Sequence, residues 1–212
     1  MSQTHPSQAS SPKPQASSPL PCVFLDRDGT VCKESGYINH PERMELLPGA
    51  AGAIRRLNQH GALVIVVTNQ AGVARGYFTE EVLAKIHGRM EDLLAKCAAK
   101  LDAIYYAPNH RDAKIERYKF EDDLRKPGIG MIHKACEKFP IELSRSYVVG
   151  DKNTDVEMAH RAGLKGVFVL TGYGLGEYEF QRDTWKTQPD HIAKDLREAV
   201  NWILKDLKKN RG

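Results

Sequence analysis

The stretch Cys22-Val23-Phe24-Leu25-Asp26-Arg27-Asp28-Gly29-Thr30 decides the fold. Four apolar residues run without alternation into two carboxylates, which is how a buried strand with a polar tip reads. Asp26 and Asp28 stand two residues apart and so project the same way at the strand end. Together they can hold a hard cation such as Mg2+ through oxygen. One carboxylate can attack phosphorus while the other protonates a leaving oxygen. Gly29 lets the chain turn sharply away. Taken alone, the segment also reads as an ordinary Asp/Gly-rich turn.

Working outward, strands and helices alternate. A helical stretch opens at Pro48-Gly49, runs to about His60 and is stopped by Gly61. Ala62 to Val67 is a second buried strand. Thr79 caps the next helix, with Glu80 and Glu81 in the first turn where the helix dipole favours negative charge; it runs towards Lys100. Asp102 to Ala107 is a third strand, followed by a polar loop, and Pro127 begins a helix ending near Lys138. Ser146 to Gly150 is a fourth strand, Asn153 to Ala162 a short helix, and Gly166 to Leu170 a fifth strand. Asp195 with Glu198 predicts a capping box for a last helix ending near Lys208. This alternation predicts an α/β fold with a doubly wound parallel sheet, Rossmann-like in architecture. Such sheets bind ligands at the carboxyl ends of their strands, near the switch in strand order. Those ends carry Asp26, Thr68, Ala107 and Asp151, and all but Ala107 are polar.

Three further clusters fall near that edge. In Thr68-Asn69-Gln70 a hydroxyl and backbone N–H groups can cradle a phosphate. Lys126 of Arg125-Lys126-Pro127 sits at a helix start, where the dipole disfavours a cation unless an anion lies between them. It can neutralise a phosphate and an aspartate nucleophile together. In Gly150-Asp151-Lys152-Asn153-Thr154-Asp155, Asp151 can complete a metal site with Asp26 and Asp28. Asp155, one helical turn on, can orient Lys152 or a metal-bound water. Each cluster has a plain reading as a turn, a solvated basic pair or a helix cap; four in the order acid pair, Thr, Lys, acid pair do not.

Composition sets the outer bounds. The chain has 212 residues, 41% hydrophobic and 27% charged, ordinary values for a globular protein able to bury a core. Its longest apolar run, Ala62 to Val67, is far short of the roughly 20 residues of a spanning helix, so no membrane role is expected. The net charge of +4 suits an anionic substrate, but basic and acidic residues are interspersed and a nucleic-acid partner is not expected. Cys22, Cys32, Cys97 and Cys136 are scattered and read as free thiols of a cytoplasmic protein. Residues 1–21, rich in Ser, Pro and Gln, read as a disordered tail, and 22–212 as a single domain and a monomer.

Phe24-Leu25-Asp26-Arg27-Asp28-Gly29-Thr30, Thr68-Asn69-Gln70-Ala71-Gly72-Val73-Ala74-Arg75-Gly76, Arg125-Lys126-Pro127 and Gly150-Asp151-Lys152 together resemble the haloacid dehalogenase superfamily of phosphatases. The likeness is greatest to the branch that contains heptose bisphosphate and histidinol phosphatases. The resemblance implies that Asp26 is the nucleophile and forms an aspartyl-phosphate. Asp28 would be the general acid and then the base, its backbone carbonyl also touching Mg2+. Thr68 and Lys126 would hold phosphoryl oxygens, and Asp151 would ligate Mg2+. Asn69, Gln70, Arg75 and Arg125 would line the pocket of a small phosphorylated substrate, expected to be a sugar bisphosphate, with Lys152 beside the metal.

One departure stands out. Members of that branch commonly carry a zinc loop with Cys-Pro-His before it and Cys-x-Cys just ahead of Arg-Lys. Here those places read Ala107-Pro108-Asn109 and Asp122-Asp123-Leu124. No structural zinc is expected, since His110 alone is no tetrahedral site. Charge pairing among Arg111, Asp112, Glu116, Arg117, Glu121 and Asp122 is expected to hold the loop instead. About 40 residues separate Asp28 from Thr68 and about 58 separate Thr68 from Lys126, which leaves no room for a separate cap domain. The rival readings are a phosphatase for histidinol phosphate or another ester such as a nucleic-acid 3′-phosphate, a receiver-like phospho-aspartate signalling module, and an inactive binding protein. The acid pair on the first strand favours turnover over a receiver, and intact Asp26, Asp28, Lys126 and Asp151 argue against an inactive protein.

Overall fold

Cys22–Leu25 forms strand β1, and all four of its side chains are buried. The computed structural model to which it belongs describes residues 18–209. Along the chain follow helix α1 (Ala50–Gln59), strand β2 (Leu63–Asn69), the short helix α2 (Ala71–Ala74), α3 (Glu80–Ala95), β3 (Ala103–Ala107) and α4 (Gly130–Lys138). Then come β4 (Tyr147–Gly150), α5 (Asn153–Arg161), β5 (Lys165–Val169), α6 (Gly174–Phe180), β6 (His191–Ala193) and α7 (Leu196–Lys209). The six strands form one parallel sheet in the order β3-β2-β1-β4-β5-β6. The order reverses at β1, so the crevice for a ligand opens between the ends of β2, β1 and β4. The fold is the doubly wound, Rossmann-like α/β sheet expected, and among the described residues no cap domain interrupts it.

The strands read as continuous apolar runs because both faces are covered. Val23, Leu25, Val64, Val66 and Val149 point to one side, where Ile54 and Leu57 of α1, Ile86 and Met90 of α3, and Ile203 of α7 bury them. Phe24, Ile65, Val67 and Val148 point to the other, against Met131, Ile132 and Ala135 of α4 and Met158 and Ala159 of α5. Each such side chain removed from water contributes about 1.5–3 kcal/mol. That fixes register, because a one-residue slip would exchange the two faces.

Three local details depart from the sequence reading. α4 starts at Gly130 rather than Pro127. Residues 123–129 turn first, with Gly130 N–H donating to the Asp123 carbonyl at 2.7 Å and Ile129 N–H to the Asp123 carboxylate at 3.1 Å. α6 and β6 add one more helix and strand after the fifth strand. The expected disordered tail lies outside the described residues except for its last four. There Leu20 already bonds the body, donating to the Pro140 carbonyl and accepting from Glu142 N–H, both at 2.8 Å. Among the described residues no helix is long and apolar enough to cross a membrane.

Candidate active site

Asp26 lies one residue beyond β1, and its N–H still donates to the Val149 carbonyl of β4. Lys126, reaching from the turn before α4, places Nζ 2.6 Å from Asp26 Oδ1, 2.6 Å from Asp155 Oδ1 and 3.2 Å from the Val67 carbonyl. All three side chains are buried. Burial pushes the Lys126 pKa down, but the Asp155 and Asp26 charges outweigh it and hold the ammonium above its ordinary range. Lys126 is therefore a fixed positive charge. No hydrogen bond engages Oδ2 of Asp26 among the described residues.

Asn69 sets the lysine's backbone. Its Oδ1 accepts from Lys126 N–H at 3.0 Å and its Nδ2 donates to the Lys126 carbonyl at 3.3 Å. Thr68 is buried, and its Oγ1 accepts from Gln70 Nε2 at 2.9 Å. Gln70 Nε2 also donates to Asp28 at 2.8 Å. The Asp28 carboxylate is turned onto Arg27, with a closest contact of 2.8 Å. Burial raises the Asp28 pKa, but the Arg27 charge and hydrogen bonds from Arg27, Gln70 and Cys32 more than offset it and hold the carboxyl below its usual range.

Asp151 is fully buried at the end of β4, and its Oδ1 has no hydrogen-bond partner. Its Oδ2 accepts from Tyr173 N–H at 2.8 Å. Burial, then the charges of Asp26 and Asp155, push its pKa up to about 8. Burial likewise raises Asp155, against the pull of Lys126. One carboxylate oxygen each from Asp26, Asp151 and Asp155 lies within 4.8 Å of the others. An all-oxygen, negatively charged, buried donor set in which Asp151 Oδ1 and Asp26 Oδ2 accept no hydrogen bond fits a hard divalent cation such as Mg2+.

Two glycines make room for that set. A Cβ on Gly29 would stand 2.1 Å from Asp151 Oδ2, and one on Gly172 2.2 Å from it; both residues have positive φ. Thr171 Oγ1 donates to the Gly29 carbonyl at 2.5 Å and so ties the loop after β5 to the loop after β1.

The centre opens into a cleft of about 370 Å3, lined by Asp26, Asp28, Thr68, Asn69, Gln70, Arg125, Lys126 and Lys152. Arg75 is not part of that lining, though its charge acts on Arg125. Burial first, then the Arg75 charge, lower the Arg125 pKa. Lys152 lies over the Tyr173 ring, 4.4 Å from its centroid. Sequence reasoning missed Glu34, Tyr37 and Tyr173, which also line the cleft, and gave Arg27 no role. The signal for Tyr173 was available, since Thr171-Gly172-Tyr173 follows a strand of a parallel sheet as the other clusters do.

The loop from Pro108 to Leu124 is not held by the charge pairs expected. Among the described residues Asp112 contacts Arg111 at 3.7 Å and His110 at 3.8 Å, with Arg111 and Asp112 exposed. The anchors are neutral or hydrogen-bonded groups. Buried Asn109 donates through Nδ2 to the Phe120 carbonyl and to Asp122 Oδ1, both at 3.1 Å. The Tyr118 hydroxyl donates to Glu80 on α3 at 2.5 Å, and Lys114 and Ile115 N–H donate to the Ala74 carbonyl.

Acid, hydroxyl, lysine and acid at the strand ends of a Rossmann-like parallel sheet define a phosphatase of the haloacid dehalogenase class. A HAD-hydrolase-like family model matches residues 123–199. The chain is 41% identical over 197 residues to the D-glycero-D-manno-heptose-1,7-bisphosphate 7-phosphatase of Thermosynechococcus vestitus, covering 89% of this chain and 98% of that one. It is 35% identical over 188 residues to the D-glycero-beta-D-manno-heptose-1,7-bisphosphate 7-phosphatase of Escherichia coli K12, covering 89% and 90%. A crystal structure of D,D-heptose 1,7-bisphosphate phosphatase from B. bronchiseptica, complexed with magnesium and phosphate, superposes with a TM-score of 0.77 at 30% identity, covering 88% and 99%. The chain belongs to the heptose-bisphosphate phosphatase family of haloacid dehalogenase-like hydrolases.

Proposed function

We propose that the protein removes the 7-phosphate of D-glycero-D-manno-heptose 1,7-bisphosphate. The observation that carries the chemistry is Lys126 shared between Asp26 and Asp155, beside the unpaired oxygen of Asp151. The relatives' names support the substrate.

In this reading Asp26 Oδ2, the oxygen Lys126 leaves free, attacks phosphorus. The bond from phosphorus to the sugar oxygen breaks as that oxygen takes a proton from Asp28, which must first gain it from solvent because the Arg27 pair holds it ionised in the free protein. Water then gives a proton to Asp28 and attacks the aspartyl-phosphate, which releases inorganic phosphate and restores the Asp26 carboxylate. Thr68 and Lys126 hold phosphoryl oxygens, and opposite charge around the transferring group stabilises its transition state. Asp155 and Asn69 fix Lys126 for that task. Arg125, Gln70 and Lys152 face the rest of the substrate, with Arg75 adding positive charge near Arg125. Asp26 and Asp151, with the Asp28 backbone carbonyl, would hold Mg2+, which when bound supplies charge neutralisation and phosphate orientation.

The Asn109–Asp122 hydrogen bond closes the loop where the branch commonly carries zinc ligands, and supports a loop without zinc. One zinc per chain retained after dialysis would overturn that. The four cysteines are free thiols, as a reducing cytoplasm keeps them. The test of function is Mg2+-dependent phosphate release from sugar bisphosphates, histidinol phosphate and a 3′-phosphorylated oligonucleotide, compared by kcat/KM. A preference of about 100-fold for the heptose bisphosphate, about 2.7 kcal/mol of transition-state discrimination, supports the assignment. A flat profile keeps the phosphatase and removes the substrate.

A further inference from the structure

Arg27 stands between the two aspartates and is 1% exposed, yet the chemistry above gives it nothing to do. Its Nε and Nη2 both reach the Asp28 carboxylate, at 2.8–3.1 Å. Nη2 also donates to Gln70 Oε1 at 3.0 Å, and Nη1 lies 3.1 Å from His87 Nε2. His87 comes from α3, on the face that buries Leu83, Ile86 and Met90. Burial, then the Arg27 charge, push its pKa down to about 3, so the ring is neutral. Facing a guanidinium that can only donate, Nε2 is the accepting nitrogen. The fork is thus held by an acceptor on each side: the Asp28 carboxylate, the Gln70 amide and the His87 ring.

We propose that Arg27, pinned by His87, is the positioning residue for the Asp28 carboxylate, and that His87 ties this acid–base group to α3. The inference rests on the acid–base role of Asp28 proposed above. A buried guanidinium is held in one orientation by the acceptors that engage each of its nitrogens. Removing the His87 acceptor leaves Nη1 without its partner, and the fork tilts to find another. A displacement of about 1 Å at a reacting group costs on the order of 100-fold in rate. Because the displaced group handles protons, the loss falls on steps that move a proton to or from oxygen and spares attack by Asp26.

The experiment compares His87→Leu, which removes the acceptor, with His87→Gln, which restores one. Each is assayed on the best sugar phosphate of the panel and on 2,4-dinitrophenyl phosphate, whose leaving group needs no proton. The expected result for His87→Leu is a kcat about 10- to 100-fold lower on the sugar phosphate. Its single-turnover burst of dinitrophenolate should stay within about threefold of wild type, and His87→Gln should recover most of the sugar phosphate rate. Equal loss on both substrates, or none on either, overturns the proposal. Asp28→Asn is run alongside. If it spares the sugar phosphate, the acid–base assignment falls. If it shows the selective loss and His87→Leu does not, only the positioning role falls. Should His87→Leu not fold, Arg27→Lys keeps the charge without the fork; the same selective loss supports the proposal and wild-type behaviour on both substrates overturns it.

Discussion

The phosphoryl centre and the loop from Pro108 to Leu124 meet at Arg125, which lines the cleft and donates to the Asn109 carbonyl at 3.4 Å. They are held in opposite ways. The centre gathers Asp26, Lys126, Asp151 and Asp155 from distant parts of the chain and buries their charges together. The loop is stitched by backbone groups, one buried amide and a tyrosine hydroxyl, and leaves its charges in water. Buried charges at a site of phosphoryl transfer are strongly coupled, so one change there affects the rest. Exposed charges are each worth little. The buried centre and the exposed loop therefore respond differently to substitution, and the loop, which supplies none of the cleft-lining residues itself, reaches the cleft through Arg125.

The largest expected effect falls on the centre. Asp26→Asn should lower phosphate release by roughly 10⁴-fold or more while far-ultraviolet circular dichroism stays as in the wild type. Turnover near wild type would remove the nucleophile. Lys126→Met should reduce kcat by about 10²–10³-fold, because Asp26 and Asp155 lose their shared cation. A loss confined to KM would assign the lysine to ground-state binding instead.

On the other side of the comparison, Asn109→Ala should destabilise the fold by about 1–3 kcal/mol, read by urea unfolding. It should raise KM for the sugar phosphate while kcat on a small aryl phosphate holds. A fall in both kcat values would show that the loop and the centre are one unit.

The smallest effect is a pH dependence. In metal-free protein the Asp151 pKa is raised, so from about pH 4 to about pH 8 the folded state binds more protons than the unfolded one. Stability from this group is present at low pH and is lost as pH rises through the folded value. The histidines with lowered pKa act in the opposite sense, but above about pH 7 they are neutral in both states. Between pH 7 and pH 9 this group should therefore cost metal-free protein about 1 kcal/mol, on top of a loss of the same sign from Cys22, Cys32 and Cys136, whose thiol pKa values burial raises; Mg2+ should remove the Asp151 share alone. A slope that Mg2+ leaves unchanged would place Asp151 outside the cation site.

The same contrast explains what was legible in the sequence. Strands buried on both faces announce themselves as apolar runs, and the polar residues at or just past their ends named Asp26, Thr68 and Asp151. Short-range patterns also carried the Thr79 cap, whose hydroxyl accepts from Val82 N–H at 3.3 Å, and the Asp195 cap, which accepts from Glu198 N–H at 2.8 Å. What stayed hidden depends on distance along the chain. Nothing local to His87 says that it meets Arg27, 60 residues away. Nor does anything near Asn69 say that its amide pairs with the Lys126 backbone 57 residues on. The loop was misread because its charged residues outnumber its anchors, while its geometry comes from Asn109 and Tyr118, residues with no pattern of their own.

The bond between Lys126 and Asp26 closes a chain segment of 100 residues. Contacts of that separation form late in folding, because the entropy of closing so long a loop is lost before the contact can repay it. Recovered phosphatase activity would then mark a late event of refolding rather than the first appearance of secondary structure. A fragment ending before residue 126 would hold β1 to β3 and still turn over nothing until its complement docked.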